Sequence, residues 1–174
     1  VTASAALEEG VATPTDQFDV SSGMIRFGSR RIDDVHSYGQ LSFTDVIVKS
    51  SNVGAIKIGL KLGPERLLRY VRRFGFGQIL SRDFRGESPG IVWDASRLTD
   101  SALASVSMGY QVGVTPLQMV TAVSSVANGG ELVEPHVVRA FLRDKTRVEV
   151  PRRVIRRTVS SSTAVELTTI MEQV

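Results

Sequence analysis

Ser42-Phe43-Thr44-Asp45-Val46-Ile47-Val48-Lys49-Ser50-Ser51-Asn52-Val53-Gly54-Ala55-Ile56 is the stretch on which the reading of the fold turns. Ser42 and Asp45 have the spacing of a capping box, and Phe43, Val46 and Ile47 follow at helical intervals. The predicted helix gives out at Ser50-Ser51-Asn52, three residues that are poor inside helices and good at their caps. A second helix follows with Val53, Ile56 and Leu60 on one face. Gly63 stops it, and Pro64 suits the first position of a third, whose apolar stripe is Leu67, Leu68 and Val71. A hydroxyl and an amide at Ser50-Ser51-Asn52 are therefore held between two rigid elements, which is what exact hydrogen bonding to a ligand requires. Helix capping for stability alone accounts for the same three residues, and by itself the tripeptide reads as a cap.

Upstream, Val1 to Glu9 is alanine-rich and helix-forming, with Gly10 where a C-terminal cap belongs. Val11 to Gln40 reads as a long excursion containing a short hairpin around Met24-Ile25-Arg26-Phe27. Asp33-Asp34 reads as a polar loop, with cation binding as the alternative. Downstream, Phe74-Gly75-Phe76-Gly77 ends the third helix, and Ser81 to Trp93 is a loop rich in glycine, proline and charge. Phe84 and Trp93 flank it, and burial against the core is expected of both, with lining a groove as the alternative. A helical stretch from Thr99 to Ser107 leads to Gly109. Thr115-Pro116-Leu117-Gln118 is the clearest helix start in the chain, with Met119, Val120, Val123, Val126 and Ala127 as the expected buried face and Asn128-Gly129-Gly130 as the stop. Val137 to Leu142 and Arg147 to Val150 read as a hairpin around Asp144-Lys145. Ser160-Ser161-Ser162 opens a last helix, with Leu167, Ile170, Met171 and Val174 expected inside. Both ends read as cuts through helices and strands are scarce. A fragment is expected, with a mostly helical body and one small antiparallel β element.

Composition narrows the function classes. Of 174 residues, 42% are hydrophobic and 22% charged, the balance of a globular protein. The absence of cysteine removes disulfides, zinc–thiolate sites and thiol nucleophiles together. The net charge of +3 rests largely on Arg66, Arg69, Arg72 and Arg73 and on Arg152, Arg153, Arg156 and Arg157. These read as a solvated basic face, with contact to an anionic envelope surface as the alternative, because no nucleic-acid motif or interleaved aromatic accompanies them. No apolar run is long enough to cross a bilayer, so a membrane anchor is expected outside residues 1–174. His36 and His136 have no carboxylate or second histidine at ligand spacing, and no metal or cofactor is expected.

The run Val48-Lys49-Ser50-Ser51-Asn52-Val53-Gly54, with Gly63-Pro64-Glu65 and Phe74-Gly75-Phe76-Gly77 after it, resembles the central part of penicillin-binding protein transpeptidase domains. The stretch Ser107-Met108-Gly109-Tyr110-Gln111-Val112-Gly113-Val114-Thr115-Pro116-Leu117-Gln118 is similar to that of the class B, monofunctional group. Ala127-Asn128-Gly129-Gly130 and Pro135-His136-Val137-Val138 continue the likeness in the same order, and Ala3 to Gly10 resembles the tail of the family's nucleophile-bearing helix. The resemblance implies an α+β, predominantly helical fold, with residues 1–174 forming the helical subdomain and part of the sheet of a transpeptidase domain cut at both ends. It also implies a serine acyl-enzyme that cross-links peptidoglycan stem peptides and is acylated by β-lactams. On that resemblance Ser50 relays protons, Asn52 holds the substrate amide, and Ser51 is structural.

The family uses three motifs, S-x-x-K, S-x-N and K-T-G. Here no serine has a lysine three residues on, Lys145-Thr146 is followed by Arg147, and Lys61-Leu62-Gly63 comes too early in the order. Acyl transfer needs a nucleophile, a base beside it and a substrate clamp. The nucleophile is thus expected outside this chain, and the chain alone is expected to be inactive. The implied setting is the bacterial cell envelope, at the extracytoplasmic face of the membrane, in a cell-wall synthesis or division complex without nucleic acid. Two alternatives stand beside it: the transpeptidase module of a bifunctional penicillin-binding protein, and a non-catalytic penicillin-recognising sensor.

Overall fold

The computed structural model describes all 174 residues. Helix α1 (Thr2–Glu8) is followed by strands β1 (Gln17–Asp19), β2 (Met24–Phe27), β3 (Arg30–Asp33) and β4 (Gln40–Ser42). Three helices come next: α2 (Phe43–Val48), α3 (Asn52–Leu62) and α4 (Pro64–Arg73). After a long loop with one 3-10 turn come α5 (Asp100–Ser107) and α6 (Pro116–Ala127). The chain finishes with β5 (Glu131–Val133), β6 (Ala140–Arg143), β7 (Thr146–Glu149), β8 (Val154–Arg157) and α7 (Ser161–Met171).

The helical body is as expected, but the single β element is not. Four separate antiparallel pairs form, β1 with β4, β2 with β3, β5 with β8 and β6 with β7. Two of them join strands far apart in sequence, Phe18 opposite Leu41 and Leu132 opposite Arg156. Strands of three or four residues carry too little alternation to stand out as a pattern, and such pairings are set by what lies between them.

Helix α3 is the hub. Val53, Gly54, Ile56, Ile58, Gly59 and Leu62 are all buried, and α1, α2, α4, α5 and β3 pack around it. A helix buried on most of its circumference has no single apolar stripe, which is why Leu60 was misassigned; it is an exposed residue. Two glycines permit the crowding. A Cβ on Gly59 would lie 1.7 Å from Ser107 Oγ of α5, and one on Gly54 would lie 2.5 Å from a Val46 methyl of α2. Around the hub, Phe43, Leu67, Leu68, Tyr70 and Phe74 fill the main core. Tyr70 donates its hydroxyl to Glu9 at 2.8 Å. Burial first, and then that carboxylate, push its phenol up to about 12.

Helix α6 reverses its expected face. Thr115 caps it as predicted, with Gln118 N donating to its Oγ1 at 3.1 Å and Gln118 closing the box. Yet Met119, Val120 and Val123 are exposed, while Gln118, Thr121, Ala122 and Ser125 are inside. Every one of these inward polar groups is satisfied. Gln118 accepts from Thr115 N and donates to the carbonyls of Gln78 and Pro89, Thr121 bonds Leu117 O, and Ser125 bonds Ala122 O and Thr158. Burial of polar groups carries little penalty once each has its partner. In α7, Leu167 and Ile170 are buried, but Met171 is exposed, lying off the stripe that Ala164, Leu167 and Ile170 define, and Val174 is exposed because the helix ends at Met171 before reaching it.

The arginine clusters are solvated as expected, but most of their charges are paired. Arg72 pairs with Asp94, Arg69 with Glu9, Arg152 and Arg157 with Glu131, and Arg153 with Glu134. Arg66 caps the end of α3 through the carbonyls of Leu62 and Lys61, and Arg156 reaches Arg72 O and Gln78. Phe84 and Trp93 are partly exposed, with the Arg97 guanidinium 5.4 Å from the Trp93 ring centre. No helix is long and apolar enough to cross a membrane.

Candidate functional site

The site is a turn between two helices. Helix α2 starts on Ser42, whose Oγ accepts from Asp45 N at 3.0 Å, and runs out at Lys49. Ser51 is the cap of α3: its Oγ accepts from Gly54 N at 2.9 Å. Between the helices Ser50 takes φ of 53°, the left-handed region that a residue with a Cβ rarely occupies. Ser50 joins the end of α2 to the cap of α3 in that conformation, and its side chain is exposed.

The three residues divide their roles. Ser51 is buried and serves the turn, donating to Asp34 Oδ2 at 2.7 Å while it caps Gly54. Asn52 is half-buried at the first turn of α3, and its Nδ2 donates to Asp33 O at 3.0 Å, which orients the amide. The turn's side-chain hydrogen bonds are made by Ser51 and Asn52, and Ser50 takes no part in them. All three line a cavity of about 440 Å³. Its other walls are the start of α1, Ser107 to Gly109 at the end of α5, Val112 and Val114 on the approach to α6, and Met119 in the first turns of α6.

Lys49 precedes the turn but does not face it. Its Nζ lies 3.8 Å from Asp45 and 5.5 Å from the Tyr38 ring centre, on the outside of α2. The histidines stay apart: His36 stands edge-on to Tyr38, and His136 Nδ1 lies 2.8 Å from Val138 O. No cluster of side chains in the chain could hold a metal ion. Chemically, the arrangement offers one free hydroxyl and one oriented amide on a mostly apolar cavity. That can pass a proton and hold an amide, but it contains no activated nucleophile.

Sequence reasoning placed Ser50, Ser51 and Asn52 together and missed Asp34. The structure takes Asp33-Asp34 out of the polar loop, since Asp33 ends β3 and the Asp34 carboxylate bonds Ser51 and Val53 N. Nothing local could have shown this, because the partners lie 17 and 19 residues away.

Comparison with known proteins gives a consistent result. The model of the penicillin-binding protein transpeptidase domain matches residues 1–174. Penicillin-binding protein PbpB of Mycobacterium tuberculosis is 35% identical over 94% of this chain and 24% of its own length. Stage V sporulation protein D of Bacillus subtilis is 33% identical over 87% of this chain and 24% of its own length. The chain thus spans about a quarter of these curated relatives. Among solved structures, penicillin-binding protein 3 of Mycobacterium tuberculosis in its apo form superposes with a TM-score of 0.85 at 34% identity, over 99% of this chain and 38% of that one. Its complex with aztreonam matches at 0.84.

Proposed function

Since the chain belongs to the penicillin-binding protein transpeptidase domain family, we propose that it is the S-x-N-bearing part of a class B peptidoglycan D,D-transpeptidase and a target of β-lactams. The observation that carries this reading is the Ser50 hydroxyl, uncommitted and held at a positive φ beside the oriented Asn52 amide on the cavity wall. The nucleophilic serine, its lysine and the K-T-G strand belong to sequence beyond residues 1–174.

In the reaction, the upstream serine attacks the carbonyl carbon of the D-Ala-D-Ala peptide bond while its proton passes to the lysine. The bond to the leaving nitrogen then breaks, and Ser50 hands that nitrogen the proton it receives from the lysine side. Asn52 holds the substrate amide so that carbonyl and serine stay in line. An amine of a neighbouring strand repeats the sequence in reverse and takes the acyl group. With a β-lactam, the ring amide takes the place of the peptide bond. The setting is the bacterial cell envelope, outside the cytoplasmic membrane, with the anchor beyond this segment and a cell-wall synthesis or division complex as partner.

Intact-mass measurement after incubation with a labelled penicillin tests the reading. The whole protein takes one adduct, and the isolated 174-residue chain takes none. Ser50→Ala in the whole protein slows acylation on the order of a hundredfold. Its stability changes by about 1 kcal/mol at most, the scale of a cap-region hydroxyl. A stoichiometric adduct mapped to Ser50 or Ser51 of the isolated chain would overturn the assignment of roles.

A further inference from the structure

The β2–β3 hairpin delivers a carboxylate to the turn between α2 and α3 that no step of the proposed reaction uses. The hairpin is fastened to the helices behind the site in two ways. Ile32 packs with Ile56 of α3 and Ala104 of α5, and Ile25, Phe27 and Met108 close over them. Arg30 Nη1 then donates to Ser101 O at 3.1 Å, Ser101 Oγ at 3.3 Å and Ser105 Oγ at 2.6 Å, all on α5. At its base Asp34 N donates to Gly23 O at 2.9 Å, which fixes where the Asp34 side chain emerges.

From there the carboxylate spans the turn. Its Oδ2 accepts from Ser51 Oγ at 2.7 Å and its Oδ1 from Val53 N at 3.0 Å, so the residues on both sides of Asn52 are pinned by one group. The preceding carbonyl, Asp33 O, accepts from the Asn52 amide itself. Ser51 Oγ accepts from Gly54 N as well, so one hydroxyl both caps α3 and donates to Asp34. A disfavoured φ such as that of Ser50 persists only where its neighbours are over-determined, and here Ser51 is the neighbour.

We propose that Asp34 is a positioning residue for the reaction: carried by the β2–β3 hairpin, it locks the Ser51–Val53 backbone and thereby aims the Ser50 hydroxyl and the Asn52 amide into the cavity. This rests on the function proposed above. It assigns to a hairpin distant in sequence a share in the rate, since misplacing a reacting group by about 1 Å can cost on the order of a hundredfold.

The test is made in the whole protein, with acylation by a fluorescent penicillin followed in time and melting measured alongside. Asp34→Ala removes both acceptors. Asp34→Asn leaves one for Val53 N and none for the Ser51 proton. Asp34→Ala is expected to slow acylation roughly ten- to hundredfold, and Asp34→Asn by about threefold to tenfold. The decisive readout is the same change made on a Ser50→Ala, Asn52→Ala background, where it is expected to cost less than about threefold more. A structural role alone would give the same loss in both backgrounds and would overturn the proposal, as would a wild-type rate for Asp34→Ala. If Asp34→Ala loses its melting transition, Asp34→Asn carries the comparison by the same criteria. Should the unaltered protein take no penicillin, the function itself falls, and this inference with it.

Discussion

The chain contains two hairpins of the same size whose fates differ. Each pairs two four-residue strands across a two-residue turn, Met24–Phe27 with Arg30–Asp33 and Ala140–Arg143 with Thr146–Glu149. In β2–β3 the turn begins at Gly28 with φ of 60°, the position a II′ turn reserves for glycine. In β6–β7 both turn residues, Asp144 and Lys145, have positive φ, as a I′ turn requires. Local chemistry therefore makes both hairpins. Only the first has a buried residue, Ile32, and only the first is tied to helices, through Arg30 and Asp34. Phe141, Leu142 and Val148 of the second are all exposed. A turn decides that a hairpin exists, and contacts distant in sequence decide whether it bears on a site.

The widest separation between the two should come from truncating their apolar residues. Ile32→Ala is expected to cost about 2–3 kcal/mol, as loss of a buried branched side chain does. Phe141→Ala should stay within about 0.5 kcal/mol, as surface changes do. Urea midpoints of the two variants check this, and equal losses would erase the distinction. Next in size is Arg30→Ala, expected to cost about 1–2 kcal/mol because Ser101 and Ser105 lose a charged donor. Arg143→Ala in the second hairpin should be neutral by the same melts.

The turns give a smaller contrast of opposite sign. Gly28→Ala forces a Cβ into the left-handed region and should lose about 1 kcal/mol, whereas Lys145→Gly relieves one and should gain about 0.5 kcal/mol. Thermal melts of the pair give the signs directly. The smallest effect is acid loosening at the β5–β8 pair, from which the second hairpin extends. Burial acts to raise the Glu134 carboxyl, but hydrogen bonding and charge from Arg153, with help from Arg82, outweigh it and leave its pKa below the usual glutamate value. Hydrogen bonding from Arg152, with the charges of Arg152 and Arg157, lowers Glu131 too. A carboxylate with a depressed folded pKa adds stability above its unfolded value, about 4.3, and loses it as pH falls through the lower folded one. Stability should therefore decline shallowly below that value, and Glu134→Gln should flatten the decline in a pH series of melts.

Much of this was legible beforehand, for reasons that differ by residue. Helix starts at Ser42, Thr115 and Ser160 were readable because a cap is made within four residues, and each of those side chains does accept from the backbone three positions on. The Asp144-Lys145 turn was readable for the same reason. Where the reading went wrong, a distant partner had decided the matter. The face of α6 was assigned from its apolar side, but Gln78, Pro89 and Thr158 supplied partners that let Gln118 and Ser125 turn inward. Leu60 failed because α3 is enclosed on nearly every side. Pairing of β1 with β4 and of β5 with β8 left no local trace.

By itself, then, the amino-acid order determined the helices, their caps, the turns and the grouping of Ser50, Ser51 and Asn52, because each depends on interactions spanning a few residues. Tertiary structure alone decided which faces are buried, how Ser50 is held at a positive φ, and that Asp34 meets Ser51 from 17 positions away in the chain. The physical reason is common to all three. A local hydrogen bond needs only the right residue at the right spacing, while a side chain's burial or its distant partner depends on what the rest of the chain brings beside it.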